Sequence, residues 1–360
     1  MFWVAKYEIL AQKLRDLIRT GQILPGGKLP SENELTASEG ISRQTVRQAL
    51  SVLEQEGLID RRRGSGSVVR TSPPPRPISG NIAVITTYIG EYIFPDILRG
   101  IEETLAKNGC VPMLSATRNR VDSERAILEG LLRRPADGII VEGTKTALPN
   151  PNIDLYHRLE EMGTPIVFIN GFYPDYRPAI YVAADDRAGG ALATEYLLTH
   201  GHTRISGVFK SDDIQGHRRY AGFIEALRRA GSPVADDHIL WYTTETRRAL
   251  LGENLAGVLG GCTGVVCYND ETALEVLRFL HDWGIHVPEE MAVIGFDDSV
   301  FASMSVPQLT SLSLNVPRDT GGSGREEIGR LAAKKLLGLI HGMPQTPALL
   351  GWHIAERASV

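Results

Sequence analysis

The stretch from Lys28 to Leu50 limits this chain more than any other. It reads Lys-Leu-Pro-Ser-Glu-Asn-Glu-Leu, then Gly-Ile-Ser-Arg-Gln-Thr-Val-Arg-Gln-Ala-Leu. Ser31 followed three residues later by Glu34 is a capping box, in which each side chain satisfies a free backbone N–H at a helix start. Gly40 tolerates the positive φ that ends a helix, and Ser42 is a good N-cap for the next one. Val46, Ala49, Leu50 and Leu53 then form one apolar stripe, which leaves Arg43, Gln44 and Arg47 on the outward, N-terminal side. Two short helices joined by a tight turn follow, with cations at the end where a DNA-reading helix needs them.

Upstream, Leu10, Leu14, Leu17 and Ile18 repeat at helical spacing, so a first amphipathic helix stops near Gly21, and Pro25-Gly26-Gly27 is a loop. Downstream, Leu58-Ile59 leads into Arg61-Arg62-Arg63-Gly64-Ser65-Gly66-Ser67-Val68-Val69. That is a strand, a glycine turn with three cations at its base, and a returning strand. Charge agrees with this reading. The chain is −5 overall, yet residues 1–72 carry eleven Lys/Arg against eight Asp/Glu, and the remainder carries 27 against 35. A basic head precedes an acidic body.

The head resembles the winged helix of the GntR family. The resemblance rests on Pro25-Gly26-x-Lys28-Leu29-Pro30-Ser31-Glu32-x-x-Leu35, then Gly40-x-Ser42-Arg43-x-Thr45-Val46-Arg47-x-Ala49-Leu50, then Glu56-Gly57-Leu58 and Gly64-x-Gly66. It implies a double-stranded DNA partner met by Ser31, Glu32 and Asn33 at helix two and by Ser42, Arg43, Gln44, Thr45 and Arg47 at helix three. The wing residues Arg63, Gly64, Ser65 and Gly66 would enter the minor groove. Arg suits guanine or phosphate and Gln suits adenine; the operator sequence stays open.

Residues 71–79 contain Pro73, Pro74, Pro75 and Pro77, a composition that favours an extended, semi-rigid spacer at about 3.1 Å per residue. The expected division is therefore a head at 1–70, a linker at 71–79 and a body at 80–360. From Asn81 onward apolar runs alternate with helical patterns: strands at 82–86, 111–115, 138–141, 165–169, 205–209, 264–267 and 291–295, with helices such as 96–108 and 122–134 between them. Such alternation implies doubly wound parallel sheets. About 280 residues exceed one such sheet, so two lobes are expected, with ligands beyond the carboxyl ends of the strands.

Those strand ends carry a consistent set of groups. They include Tyr88, Tyr92, Phe94, Arg125, Glu142, Lys145, Asn170, Phe172, Tyr173, Asp185, Asp186, Asp212, Asp213, Gln215, Arg219, Asn269, Asp270, Asp297 and Asp298. Aromatic faces with interspersed carboxylates, amides and guanidinium groups suit a neutral ligand with many hydroxyls; an anionic ligand calls for more net cation. A polar residue after a strand is also often only a helix N-cap, and Asp122, Asp186 and Asp270 are candidates for that role.

The body resembles the LacI-type effector domain, similar in turn to periplasmic sugar-binding proteins. The matching pieces are Arg219-x-x-Gly222-Phe223, Tyr268-Asn269-Asp270, Ile294-Gly295-Phe296-Asp297-Asp298 and Pro307-x-Leu309-Thr310. By that resemblance Arg219, Asn269 and Asp297 bind the effector, joined by Tyr88, Tyr92, Phe94, Arg125, Glu142, Lys145, Asp186 and Gln215 from the strand-end set. A GntR head on a LacI-type body resembles the arabinose-responsive repressors. The implied protein is multidomain: a winged helix-turn-helix head followed by a two-lobed α/β body of the type I periplasmic-binding kind. It represses sugar-utilisation genes as a homodimer on a near-palindromic operator and is released when sugar, L-arabinose by resemblance, closes the lobes. Another pentose, a hexose or a purine remains open as effector. The segment Asp319–Gly324 is longer than the turn found there in the family.

Catalysis finds no support: HExxH, G-x-S-x-G and G-x-x-x-x-G-K-[ST] are absent, and no G-x-G-x-x-G follows a strand. A cytosolic sugar-binding enzyme is the weighed alternative, and it would need a phosphate loop or metal cluster. No cofactor or metal is expected. Cys110, Cys262 and Cys267 form no even framework and read as small core residues in a reducing cytoplasm. Thr199-His200-Gly201-His202 reads as a helix end without a metal role. No apolar run approaches a membrane span, so no membrane partner is expected and the location is read as cytoplasmic.

Overall fold

The structure, a computed structural model, describes residues 5–19, 22–24, 26–62, 66–70, 78–177, 179–316 and 322–360. Pro25, the wing tip Arg63–Gly64–Ser65, linker residues 71–77 and residues 319–321 of the long segment lie outside the described residues. The chain folds as two compact units, Met1–Pro77 and Ile78–Val360.

The first unit holds α1 (Lys6–Arg19), α2 (Glu32–Glu39), α3 (Arg43–Gln55) and the antiparallel pair β1 (Ile59–Arg62) and β2 (Gly66–Val69). The capping box forms as the spacing predicts: Glu34 N donates to Ser31 Oγ at 3.3 Å and Ser31 N to Glu34 Oε2 at 2.7 Å. Gly40 closes α2 at φ 62°, and Ser42 caps α3 by accepting from Thr45 N at 3.2 Å. Leu10 and Leu14 meet Leu35, Val46, Leu50, Leu53, Ile59 and Val69 in one buried core.

The second unit contains two six-stranded sheets. Its elements run β3 (Asn81–Thr86), α4 (Phe94–Ala106), β4 (Val111–Ala116), α5 (Val121–Arg133), β5 (Gly138–Val141), α6 (Ile153–Glu161), β6 (Ile166–Ile169), β7 (Ile180–Ala184), α7 (Asp186–Thr199), β8 (Ile205–Lys210), α8 (Ile214–Arg229), β9 (Ile239–Tyr242), α9 (Arg247–Leu259), β10 (Gly264–Cys267), α10 (Asp270–Asp282), β11 (Ala292–Phe296), α11 (Val300–Met304), β12 (Thr310–Leu314), α12 (Gly324–Ile340), β13 (Ala348–Leu350) and β14 (Trp352–Ala355). The N-lobe sheet has the order β13-β7-β6-β5-β3-β4 and is parallel throughout; the C-lobe sheet has the order β14-β12-β11-β10-β8-β9, with only β14 antiparallel. Strands β5, β6, β10 and β11 are buried along their whole length, which is why they read as unbroken apolar runs rather than alternating ones.

The chain passes between the lobes three times: after β7, between β12 and β13, and at Gly351 between β13 and β14. Backbone bonds tie these crossings together, Asp185 N to Leu350 O at 2.8 Å and Asn315 N to Gly351 O at 2.9 Å. Helices α4 and α12 touch so closely in the N-lobe that a Cβ on Gly100 would lie 2.0 Å from Glu326 O. In each sheet the strand order reverses direction around one strand, β3 and β8. A doubly wound sheet leaves a crevice at that reversal, so the loops after β3 and β8 are where a ligand belongs.

Three N-cap expectations change. Asp185, not Asp186, caps α7 through Ala188 N, and Asn269, not Asp270, caps α10 through Thr272 N. Asp122 pairs with Arg120 at 2.5 Å and makes no cap. A cap sits one residue outside the helix, so a one-residue error in the helix start moves the role to the neighbour.

Candidate functional site

The first unit presents a polar face built by α2 and α3. Arg43 and Gln44 are exposed at the start of α3. Arg43 Nη2 donates to Asn33 Oδ1 at 2.6 Å, Arg47 Nε to Glu32 Oε2 at 2.8 Å and Arg61 Nη2 to Glu32 Oε1 at 2.6 Å. Arg47's hydrogen bond holds the Glu32 carboxyl below its usual value, and Arg61 adds to the effect. Thr45 and Ser42 share a hydroxyl contact at 2.8 Å, and Gly66 is exposed where β2 leaves the wing. Arg43 is thus anchored on Asn33, and Arg47 and Arg61 share the neighbouring Glu32.

In the second unit a cavity of about 200 Å³ lies between the lobes. The loops after β3 and β8 line it with Thr87, Tyr88, Tyr92 and Asp213, beside Lys210 at the end of β8 and Gln215 in the first turn of α8. At its base Arg219, on α8, is 1% exposed. Its Nε donates to Asp186 Oδ1 at 2.9 Å, Nη1 donates to Tyr268 O, and Nη2 lies 3.6 Å from Asp297 Oδ1. Its guanidinium sits against the rings of Phe296 at 4.3 Å and Tyr268 at 4.9 Å. Burial works against this charge, but the Asp186 and Asp297 carboxylates outweigh it and raise the arginine's pKa. Burial likewise pushes the Asp186 carboxyl up, opposed by Arg219.

Glu142 lines the N-lobe wall and accepts from Thr87 N at 3.0 Å, Thr87 Oγ1 at 2.5 Å and Asn170 Nδ2 at 2.8 Å. Burial raises its pKa against those bonds. Asn170 Oδ1 is buried without a partner among the described residues, and Asn170 also lines the cavity; it offers an acceptor to whatever enters. Asn269 spends its carbonyl on Thr272 N and Oγ1, so its amide N–H₂ is what it presents. Lys210 Nζ bonds Asp213 Oδ2 at 2.6 Å, and Arg247 bonds Glu271 at 3.1 Å. Tyr88 and Phe94 meet edge to face at 5.9 Å, Tyr242 and Tyr268 at 6.3 Å.

The lobes are joined across the mouth. Tyr92 Oη donates to Asp297 Oδ2 at 2.5 Å, Asn119 Nδ2 to Thr244 Oγ1 at 2.6 Å and to Asp212 Oδ2 at 3.1 Å, and Ile214 N to Thr146 Oγ1 at 3.0 Å.

Of the expected effector residues, Tyr88, Tyr92, Phe94, Glu142, Gln215, Arg219, Asn269 and Asp297 line this cavity. Three do not. Asp186 lies behind Arg219 and reaches the cavity only through it. Arg125 turns along α5 to Glu129 at 3.1 Å and toward Asn152. Lys145 is taken up by Glu245 of the other lobe at 2.5 Å. The strand-end rule locates a loop and not a side-chain direction, and both cations found carboxylates outside the cavity. Sequence reading missed Asn119, Lys210, Tyr242, Thr244 and Arg247 as lining residues. Thr244 and Arg247 follow β9, a strand that was not read, so the rule itself would have found them.

Residues 6–69 match the bacterial regulatory proteins of the gntR family, and residues 194–360 match the periplasmic binding protein-like domain. The chain is 41% identical over 316 residues to an arabinose metabolism transcriptional repressor of Halalkalibacterium halodurans, covering 85% of this chain and 84% of the relative. It is 38% identical over 341 residues to that of Geobacillus stearothermophilus, covering 93% and 91%. The solved structure of the transcriptional regulator CelR with cellobiose superposes with a TM-score of 0.68 at 22% identity, over 92% of this chain and all of that one. The chain belongs to the family of arabinose metabolism transcriptional repressors, DNA-binding regulators rather than enzymes, with a GntR head and a periplasmic-binding-protein-like body.

Proposed function

We propose that the cavity takes L-arabinose, and that sugar binding releases a homodimer of this chain from a near-palindromic operator in the cytoplasm, with no cofactor or metal involved. The carrying observation is the charge inventory of the cavity wall. Glu91, Glu142, Asp213, Glu271 and Asp297 face it against Lys210, Arg219 and Arg247, so five carboxylates meet three cations. That balance disfavours a sugar phosphate and suits a neutral polyol, whose hydroxyls donate to carboxylates and accept from Arg219 and the Asn269 amide. The volume sits below the ~300–1,000 Å³ typical of drug-sized ligands, which favours a single sugar ring. Tyr88, Tyr92 and Tyr268 cover its C–H faces.

Closure follows from differential binding: sugar touches both lobes only when they meet, so it stabilises the closed body by the contacts that the open one lacks. On the head, Asn33, Arg43, Gln44, Thr45 and Arg47 face the major groove. Glu32 acts by aiming Arg47 and Arg61, because a carboxylate beside phosphate would be repelled. Calorimetry of the full chain against L-arabinose, D-xylose, D-glucose and adenine tests the reading. Binding of L-arabinose ahead of the others supports it, and preferential binding of adenine or a hexose overturns it.

A further inference from the structure

Asp297 faces the cavity and is held from both lobes, and one of its holders was invisible in the sequence. Its φ of 100° lies in the left-handed region, a strained conformation for a side chain with a Cβ. Oδ2 accepts from Tyr92 of the N-lobe. Oδ1 lies near Arg219 and accepts directly from Nη2 of Arg325. Arg325 is 4% exposed and belongs to the first turn of α12. That turn is fixed to the N-lobe, because its backbone at Glu326 presses on Gly100 of α4 and Ser323 Oγ donates to Asp96 of α4 at 3.0 Å. Arg325 therefore reaches from an N-lobe helix to a C-lobe carboxylate.

The same guanidinium lies 5.4 Å from the ring of Trp352, just past the third crossing, and the Trp352 indole N–H donates to Asp185 O at the first crossing at 3.0 Å. Arg325 itself follows the second. Its Nε and Nη1 have no hydrogen-bond partner among the described residues, and neither does Asp186 Oδ2 in the same buried charge cluster. A buried fork using one nitrogen of three is poorly satisfied. It has spare donors for a second pairing when the hinge moves, and Asp186 has a spare acceptor.

We propose that Arg325 is the positioning residue that couples sugar to the hinge, holding the Asp297 carboxylate at the cavity from the opposite lobe. The proposal rests on the reading of the cavity as a sugar site. Removing the fork frees Asp297 to turn away and removes one contact between the lobes.

Calorimetry and operator gel shifts on the full chain, wild type and variants, test this with L-arabinose as probe. Arg325→Gln should weaken sugar binding at least about tenfold while operator affinity without sugar stays within about threefold. Arg325→Lys, which keeps the cation, should recover part of the loss. In an Asp297→Asn background Arg325→Gln should add little, since the two act as one unit. Unchanged sugar affinity, additive losses, or parallel loss of operator binding would overturn the proposal. Should Arg325→Gln not fold, Arg325→Lys decides: sugar binding about threefold weaker or more with intact operator binding supports it, and unchanged binding overturns it. A wild-type chain that binds no L-arabinose overturns the sugar reading itself; wild-type binding with unaffected variants overturns only the role of Arg325.

Discussion

The head and the body both place an arginine on a carboxylate, and the two pairs do opposite work. Arg47 meets Glu32 at 2.8 Å with 65% of its side chain exposed. Arg219 meets Asp186 at 2.9 Å with 2% exposed. The exposed pair is worth about 0–1 kcal/mol and weakens with salt, so Arg47 can leave Glu32 for another anion at little cost. The buried pair cannot exchange: removing one partner strands the other in a low-dielectric interior, at about 3–5 kcal/mol. A surface that must let go of its target is built from loose pairs. A cavity that must hold a fixed geometry is built from tight ones.

The largest test of that contrast is Arg219→Ala. It should lower the body's stability by about 3–5 kcal/mol and abolish sugar binding, read by thermal unfolding and calorimetry. A variant with wild-type unfolding would show that Asp186 tolerates solitude and would remove the contrast.

Arg47→Ala comes next. Loss of a base or phosphate contact should weaken operator binding by about 1–3 kcal/mol in gel shifts, with unfolding temperature and sugar affinity unchanged. Equal weakening of sugar binding would contradict the division of labour between the regions.

A third test concerns pH. Burial and the Asp297 charge push the Asp270 carboxyl from 3.8 up to about 7, against its bonds from Ser311 and Ser299. The folded state thus holds a proton that the unfolded chain releases, so this group's contribution to stability falls as pH rises from about 4 to 7. Asp270→Asn removes the dependence, and the difference in stability between variant and wild type should grow in the variant's favour across that window. A difference flat in pH would contradict the buried-acid assignment.

The smallest effect belongs to Glu32→Gln. Stability should change by less than about 1 kcal/mol, while operator binding becomes less selective as Arg47 and Arg61 lose their common anchor. A loss of several kcal/mol in unfolding experiments would make the exposed pair structural and blur the comparison.

The same contrast explains what the sequence disclosed. The head was legible because its determinants are local: the Ser31–Glu34 box, Gly40 and the Ser42 cap act within four residues. Core strands of the body were legible as apolar runs. Strands β7, β9, β12, β13 and β14 were not, since they lie at or next to sheet edges or beside crossings, where less apolar sequence is required. The cavity's wall was half legible through strand ends. Its supports were not, because Asn119 to Asp212 and Tyr92 to Asp297 bridge chain separations of 93 and 205 residues, and no spacing rule reaches across them. Arg325 lies 28 residues from Asp297 in the chain, and the packing of α12 on α4 brings it there.

The most direct measurement titrates L-arabinose into a preformed complex of the full chain with its operator and follows release by fluorescence anisotropy, for wild type and for Asp297→Ala. The wild-type complex should dissociate as sugar is added, and the Asp297→Ala complex should persist at the same concentrations. Release of both alike, or of neither, would contradict the claim that a sugar held at Asp297 governs the grip on DNA.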